Sequence, residues 1–190
     1  PLFVRNNLMN ILGTHDTVRI LTNLAGDTLA NSSKEVMAEA RLSDKQYSHG
    51  IELLKLAAVL QYTFFGFPCV YYGDEVGVEG YKDPFCRGCY PWGKENKLLL
   101  DFYRRLGQLR NNSVFADGDF RQLVAERGVY AFRRALPTTQ TEVVVAVNCG
   151  TSEYKLSLNG RYTDMLNGRS YDNECNLQPM DYVVLQKDLF

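Results

Sequence analysis

Two apolar segments of the sequence end in residues that could carry acid–base or hydrogen-bonding chemistry. The first, residues 7–13, is followed by His15 and Asp16, and the second, residues 69–72, is closed by a Gly-Asp-Glu sequence at 73–75. In parallel α/β folds and barrels, ligands bind beyond the carboxyl ends of the strands. The sequence therefore predicts a functional site at these two strand ends. The alternative is a solvated turn in which Asp16 caps a following helix.

A loop over residues 77–93, which contains glycine, proline and aromatic residues, carries further polar groups. Its Cys86 and Cys89 have a spacing that can present two thiolates to zinc, but no second such pair and no nearby pair of histidines completes four ligands. We therefore predict no metal site. The ring of Trp92 is suited either to stacking on a ligand or to fixing the loop.

Helical and extended segments alternate over the first part of the chain. Apolar residues recur at helical spacing over residues 44–65 and 94–110, and a short helix is predicted to start at Thr17. Gly66 and Pro68 end the longer helix, because glycine tolerates a left-handed turn and proline cannot continue the hydrogen-bond ladder. The order strand–helix–strand–helix predicts a parallel sheet with crossover helices.

The rest of the chain is predicted to be antiparallel β-structure. Turn sequences such as Arg127-Gly128, Asn159-Gly160 and Asn167-Gly168 separate short β-like segments. These segments are residues 120–126, 129–134, 142–148, 154–158 and 182–186. The pattern predicts a sandwich of Greek-key type, so that the fold class is α/β plus all-β. The predicted domains are residues 1–113 and 114–190.

Composition restricts the classes of partner. With 21 basic and 22 acidic residues the net charge is -1, which gives no electrostatic reason to expect nucleic acid or an anionic membrane surface as a partner. No apolar stretch approaches the ~20 residues of a membrane span. The five scattered cysteines do not form a disulfide framework. An uncharged or zwitterionic ligand and a reducing, cytoplasmic compartment are therefore predicted, with an extracellular location as the alternative.

Three motifs resemble those of the α-amylase family of glycoside hydrolases, particularly its neopullulanase and cyclomaltodextrinase branch. Residues 10–19, NILGTHDTVR, are similar to the family's strand-seven motif N-x-L-G-S-H-D-T-x-R, with Thr14 in place of serine. Residues 66–75, GFPCVYYGDE, match the strand-eight motif G-x-P-x-x-Y-Y-G-x-E. Residues 83–87, DPFCR, resemble the loop that follows strand eight. The resemblance implies the C-terminal part of a (β/α)8 barrel, strands seven and eight with their helices, followed by a β-sandwich.

The resemblance also implies roles for individual residues. Asp16 is expected to stabilise the oxocarbenium-like transition state, and His15 is expected to hydrogen-bond the same sugar ring. Arg19 is expected to bind substrate. Asp83 and Arg87 match loop residues that bind glucose further toward the non-reducing side.

The same resemblance implies that this chain is a C-terminal fragment. The family's catalytic nucleophile and its acid/base lie upstream of the strand-seven motif, at the ends of strands four and five. Retaining hydrolysis needs two carboxyl groups about 5 to 5.5 Å apart, and Asp16 fills neither role. We therefore predict that the chain alone is inactive. Two barrel strands with open edges also predict that the isolated chain self-associates or rearranges its N-terminal region.

For the intact protein the resemblance implies cleavage of α-glucosidic bonds in malto-oligosaccharides, cyclodextrins or pullulan-like glucans. Alternatives within the family are an α-glucosidase and a glucan transglycosylase, and a non-catalytic carbohydrate-binding or interaction module is an alternative of another class. No cofactor is expected in this segment, and calcium is left open for the intact enzyme.

Overall fold

Helices dominate the first half of the chain and strands the second half. The computed structural model describes residues 2–189, and the side chains of residues 4–189. The helices are α1 (Leu2–Asn6), α2 (Ile20–Ala25), α3 (Lys34–Glu39), α4 (Asp44–Thr63), α5 (Lys97–Arg110) and α6 (Ser113–Asp117). The strands are β1 (Met9–Ile11), β2 (Phe67–Cys69), β3 (Arg121–Glu126), β4 (Val129–Leu136), β5 (Thr141–Asn148), β6 (Tyr154–Asp164), β7 (Ser170–Leu177) and β8 (Tyr182–Lys187). Within the described residues, no helix has the length and apolar character that crossing a membrane requires.

The contacts divide the chain into two units. The helical unit comprises Met9–Gln61 and Pro68–Arg104, and the sheet unit comprises Pro1–Leu8, Tyr62–Phe67 and Arg105–Phe190. The sequence-based boundary between residues 113 and 114 stays a prediction.

In the helical unit, long helices supply the apolar core and short strands supply the ends that carry polar loops. Its fully buried side chains include Leu21, Leu54, Ala58, Val59 and Leu99. β1 and β2 form a two-stranded sheet. The buried Gln61 side chain in α4 bridges the two strands, because its Nε2 donates to the carbonyl oxygens of Asn10 within β1 and of Cys69 at the end of β2, each at 2.9 Å.

The sheet unit contains one six-stranded antiparallel sheet with the order β3-β4-β5-β8-β6-β7. Successive residues of a strand point to opposite faces of the sheet, so every second side chain lies on the same face. Such side chains from five strands form one apolar core. The buried members of this core are Val129, Ala131, Val144, Ala146, Leu156, Tyr162, Cys175, Leu177, Val183 and Leu185. A second apolar cluster joins Phe64, Phe120 and Phe132, whose ring centroids lie 4.9 to 5.9 Å apart.

A buried arginine of the sheet unit donates hydrogen bonds to backbone carbonyl oxygens at helix ends. Arg134 is fully buried and donates to the carbonyl oxygens of Thr63, Phe115, Gly118 and Asp119 at 2.8 to 3.0 Å. These carbonyl groups lie at the ends of α4 and α6, where helical partners are lacking. Burial, with the nearby positive charge of Arg110, lowers the pKa of Arg134 to about 10, so the guanidinium is charged at neutral pH.

Most of the predicted elements are confirmed, with shifted bounds. The helix predicted over 44–65 is α4, and the helix predicted over 94–110 is α5, which begins at Lys97. The predicted turn at Asn159-Gly160 is wrong, because β6 continues through it with a register shift between Ser157 and Arg161. Such a bulge lets a strand bend without ending. β7 was not predicted, since Ser170–Leu177 is mainly polar and exposed.

Candidate functional site

The turn that follows β1 is held by hydrogen bonds to side chains within residues 14–17. The Thr14 backbone N–H donates to Thr17 Oγ1 at 3.1 Å, and the Asp16 backbone N–H donates to Thr14 Oγ1 at 3.2 Å. The hydroxyl of Thr14, which stands where the family motif has serine, therefore stabilises the turn by accepting a hydrogen bond. The alternative in which Asp16 caps a helix is wrong, because α2 begins at Ile20, next to Arg19, and not at Thr17.

Four of the five predicted site residues are brought together within the helical unit. His15 Nε2 lies 3.2 Å from Asp16 Oδ2, and Arg87 Nη2 lies 3.3 Å from Asp16 Oδ1. Arg87 Nε also contacts Asp83 Oδ1 at 2.7 Å. Arg87 thus links two carboxylates that are 67 positions apart in the chain. All four side chains are about half exposed or more, so their polar groups face solvent and are accessible to a ligand.

The backbone of His15 is anchored by the loop after β2. Its carbonyl oxygen accepts hydrogen bonds from Cys86 Sγ and from Arg87 Nε, both at 3.1 Å. Cys86 is fully buried, so its thiol packs and donates instead of facing solvent. The loop therefore fixes the peptide that carries His15, while the imidazole itself stays exposed beside Asp16.

A groove passes the two predicted carboxylates. It is lined by Leu12, Asp16, Thr17, Val18, Asn23, Lys82 and Asp83. Asn23 and Lys82 were not predicted as site residues. Lys82 precedes the DPFCR motif directly, and that position is the signal by which sequence reasoning could have found it; Asn23 lies in α2 and carries no comparable signal. The groove offers a cation, an amide and carboxylates, which suit the hydroxyl groups of a sugar.

Arg19, the fifth predicted site residue, lies apart from this exposed group. Its side chain is fully buried, where Nη1 donates to the Tyr72 carbonyl oxygen and to Asp74 Oδ1, the latter at 3.2 Å. Its guanidinium carbon lies 4.2 Å from the Tyr71 ring centroid and 4.7 Å from that of Tyr72. The Arg19 guanidinium thus contacts groups of the protein, and substrate binding by Arg19 stays a prediction.

Asp74 is buried and lies five positions after the end of β2, because the strand predicted over residues 69–72 is instead Phe67–Cys69. Burial raises the pKa of Asp74 to about 6, against the opposing effect of the Arg19 guanidinium, and the neighbouring Glu75 adds a further upward shift. Tyr72 donates its hydroxyl to the Gly88 carbonyl oxygen at 3.0 Å. The residues that follow β2 therefore have a structural role, and the exposed polar group lies at the turn that follows β1.

The remaining polar and aromatic residues of the loop lie in different surroundings. All five cysteines are free; Cys86 is buried and Cys89 is exposed. Over residues 2–189, no three His, Cys, Asp or Glu side chains are grouped as a metal ion would require. Trp92 is 81% exposed, and its ring centroid lies 4.5 Å from that of Tyr90.

Curated proteins with similar sequences are enzymes named for α-glucan substrates. The chain is 36% identical over 188 residues to an amylopullulanase of Thermoanaerobacter thermohydrosulfuricus, with 90% of this chain and 12% of that protein covered. It is 35% identical over 159 residues to a cyclomaltodextrinase of Thermoanaerobacter pseudethanolicus, with 82% of this chain and 23% of that protein covered. The chain thus spans less than a quarter of the length of either relative. No family model matches the sequence.

Solved structures show the same fold. An α-amylase of Anoxybacillus superposes with a TM-score of 0.76 at 24% identity, over 97% of this chain and 39% of that one. A debranching enzyme of Nostoc punctiforme, soaked with acarbose, gives a TM-score of 0.70 at 25% identity, over 97% and 34% of the two chains. These neighbours and the antiparallel six-stranded sheet confirm the predicted fold class, the C-terminal part of a (β/α)8 barrel followed by a β-sandwich.

The three sequence motifs, the cluster of polar site residues, the sequence similarity and the structural similarity all indicate the same family. The sequence relatives are an amylopullulanase and a cyclomaltodextrinase, and the structural neighbours are α-amylase family enzymes that cover nearly the whole chain. The chain belongs to the α-amylase family of glycoside hydrolases.

Proposed function

We propose that this chain forms part of the substrate site of a retaining glycoside hydrolase that acts on α-glucosidic bonds. The observation that carries the proposal is the exposed group formed by His15, Asp16, Asp83 and Arg87 within one unit. In this proposal Asp16 stabilises the transition state and His15 contacts the same sugar ring. Asp83 and Arg87 hold a neighbouring glucose.

The chemistry of the bond supports these roles. As the glycosidic bond breaks, positive charge develops on the ring, and the ring hydroxyls become better hydrogen-bond donors. A carboxylate such as Asp16 then binds the transition state more tightly than the ground state, which is the condition for catalysis. The forked guanidinium of Arg87 and the carboxylate of Asp83 together match the donors and acceptors of vicinal hydroxyls.

We also propose that the 190-residue chain does not turn over substrate by itself. Retention of configuration requires an attacking carboxylate and a carboxylic acid that protonates the leaving oxygen. Neither role is assigned to a residue of this chain, and the relatives it matches are several times longer. The intact protein would supply both groups.

The names of the relatives, an amylopullulanase, a cyclomaltodextrinase and a neopullulanase, support a proposal for the substrate class. We propose malto-oligosaccharides, cyclodextrins or pullulan-like glucans as substrates, with hydrolysis as the reaction. The free cysteines support a reducing, cytoplasmic location.

The test is Asp16→Asn in the full-length protein, assayed on a chromogenic maltoside. The amide keeps the shape of the side chain and removes its charge, so we expect kcat to fall by at least about 100-fold. Asp101→Asn is the matched control, because Asp101 is also an exposed carboxylate paired with an arginine, Arg104, at 2.9 Å. We expect this control to retain wild-type turnover.

Two results would contradict the proposal. Unchanged turnover of Asp16→Asn would remove the role of Asp16. A full-length protein that binds maltoheptaose without any hydrolysis or transfer would favour a carbohydrate-binding module instead.

A further inference from the structure

We propose that the buried Arg19–Asp74 pair is a positioning device that holds the segment carrying His15 and Asp16 in its productive geometry. The inference rests on the proposed function, since it concerns the same site. It assigns Arg19 a role that acts through the protein, in place of direct contact with substrate.

Arg19 fastens the far end of this segment. Three positions after Asp16, its guanidinium is fully buried, bonds to Asp74 Oδ1 and to the Tyr72 carbonyl oxygen, and lies over two tyrosine rings. Its backbone N–H also donates to the Gly80 carbonyl oxygen at 2.9 Å. Side chain and backbone together tie the end of the segment to the chain that follows β2.

Asp74 fastens the near end. Gly13 is buried two positions before His15, and a Cβ added there would lie 2.5 Å from Asp74 Oδ2. The Asp74 carboxylate therefore packs directly against the Gly13 backbone with one oxygen, while its other oxygen bonds Arg19. One carboxylate thus contacts both ends of residues 13–19.

The segment between these two ends has little burial of its own. Thr14 is half-buried, whereas His15, Asp16 and Thr17 are exposed. Their orientation depends on anchors outside the segment, namely the bonds from Cys86 and Arg87 to the His15 carbonyl oxygen on one side and the Arg19–Asp74 pair on the other. Loosening the pair should misplace Asp16 without removing any group that binds sugar.

Misplacement has a kinetic signature that differs from lost binding. An error of about 1 Å at a catalytic group costs on the order of 100-fold in rate, whereas substrate affinity is spread over many contacts. We therefore expect Asp74→Asn and Arg19→Met, in the full-length protein, to lower kcat per folded molecule by about 10- to 100-fold with KM within about threefold of wild type. Arg19→Lys keeps a charge that can reach Asp74 and should recover part of kcat.

Gly13→Ala provides a test that leaves both charged residues in place. The added methyl group must displace the Asp74 carboxylate and should reproduce the effect of Asp74→Asn. In an Asp74→Ala background the obstructing carboxylate is gone, so the same substitution should cost little more. This non-additivity is expected only if Gly13 and Asp74 act through one contact.

Arg134→Lys is the matched control for loss of a buried arginine. Its partners are carbonyl oxygens of the sheet unit, so we expect a lower Tm and wild-type kcat per folded molecule. Amide hydrogen exchange of residues 14–17 is the second readout. It should be at least about tenfold faster in Asp74→Asn than in wild type and unchanged in Arg134→Lys, at a temperature below both melting transitions.

The outcomes separate this inference from the proposed function. If wild-type full-length protein has no turnover, the proposed function fails, and exchange of residues 14–17 still decides whether the pair holds the segment. If KM rises and kcat is unchanged in Arg19→Met, Arg19 binds substrate and the positioning role is overturned. Wild-type kcat and wild-type exchange in Asp74→Asn would overturn it as well.

Discussion

At the scale of single residues, Asp74 shows how one buried carboxyl group couples stability to pH. Burial disfavours its charged form and the Arg19 guanidinium favours it, and the balance raises the pKa of Asp74 from 3.8 to about 6. Since the folded protein binds this proton more tightly than the unfolded chain does, the stabilisation from Asp74 is fully present below pH 3.8. It is lost as pH rises through about 6.

Asp74→Asn should therefore change the pH dependence of unfolding. A tenfold change in proton affinity corresponds to about 1.4 kcal/mol, so the free energy of unfolding of wild type should fall relative to Asp74→Asn by up to about 3 kcal/mol between about pH 3 and pH 7. Urea unfolding across this range measures the difference. Asp101→Asn, which alters an exposed carboxylate, is the control. If the difference in the free energy of unfolding between wild type and Asp74→Asn does not change with pH, the assignment to Asp74 is contradicted.

At the scale of elements, the connection between α4 and β2 depends on one glycine. Gly66 has φ +89°, in the left-handed region, and an added Cβ would lie 2.3 Å from the Leu8 carbonyl oxygen. That oxygen already accepts a hydrogen bond from the Phe67 backbone N–H at 2.7 Å. The glycine is therefore required both by its backbone conformation and by a close approach of two chain segments.

Two alanine substitutions should have effects of opposite sign on stability. Gly66→Ala should lower the free energy of unfolding by about 2 kcal/mol or more, because it strains the backbone and separates Leu8 from Phe67. Gly107→Ala should raise it by about 0.5 to 1 kcal/mol, because Gly107 lies within α5 and an added Cβ meets open space. Thermal and urea unfolding of the two variants measure these changes. Equal changes in the free energy of unfolding would contradict the different roles of the two glycines.

At the scale of the whole molecule, β1 carries exposed apolar side chains. Met9 is 61% exposed and Ile11 is 42% exposed, on a strand of a sheet that has only two strands among residues 2–189. Unpaired strand edges with apolar side chains are templates for association. Self-association of the 190-residue chain therefore stays a prediction with a physical basis in these residues.

Light scattering coupled to size-exclusion chromatography tests this prediction. The mean mass of the chain should rise above 21.6 kDa with concentration. Ile11→Lys should lower the association, since a charged side chain opposes pairing at a strand edge. Leu98→Lys, at an 81% exposed position in α5, is the matched control and should associate as wild type does. A single monomer mass at all concentrations would contradict the prediction.

The sequence by itself determined the features that depend on local pattern. Helical spacing of apolar residues predicted α4 and α5, because an amphipathic helix records its buried face directly in the chain. The three motifs identified the family, since short segments of fixed spacing carry the site chemistry. Local pattern failed at Gly160, where the turn sequence lies inside β6, and at the polar strand β7.

Only the tertiary structure decided which side chains meet. Residues 13–19 and the chain after β2 are more than 50 positions apart, and no local periodicity relates Asp74 to Gly13 or Arg87 to Asp16. The sequence placed Arg19 among the sugar-binding residues, whereas the fold buries it beside Asp74. Burial and long-range contact depend on how elements pack, and that packing determines which polar group faces a ligand and which one holds another in place.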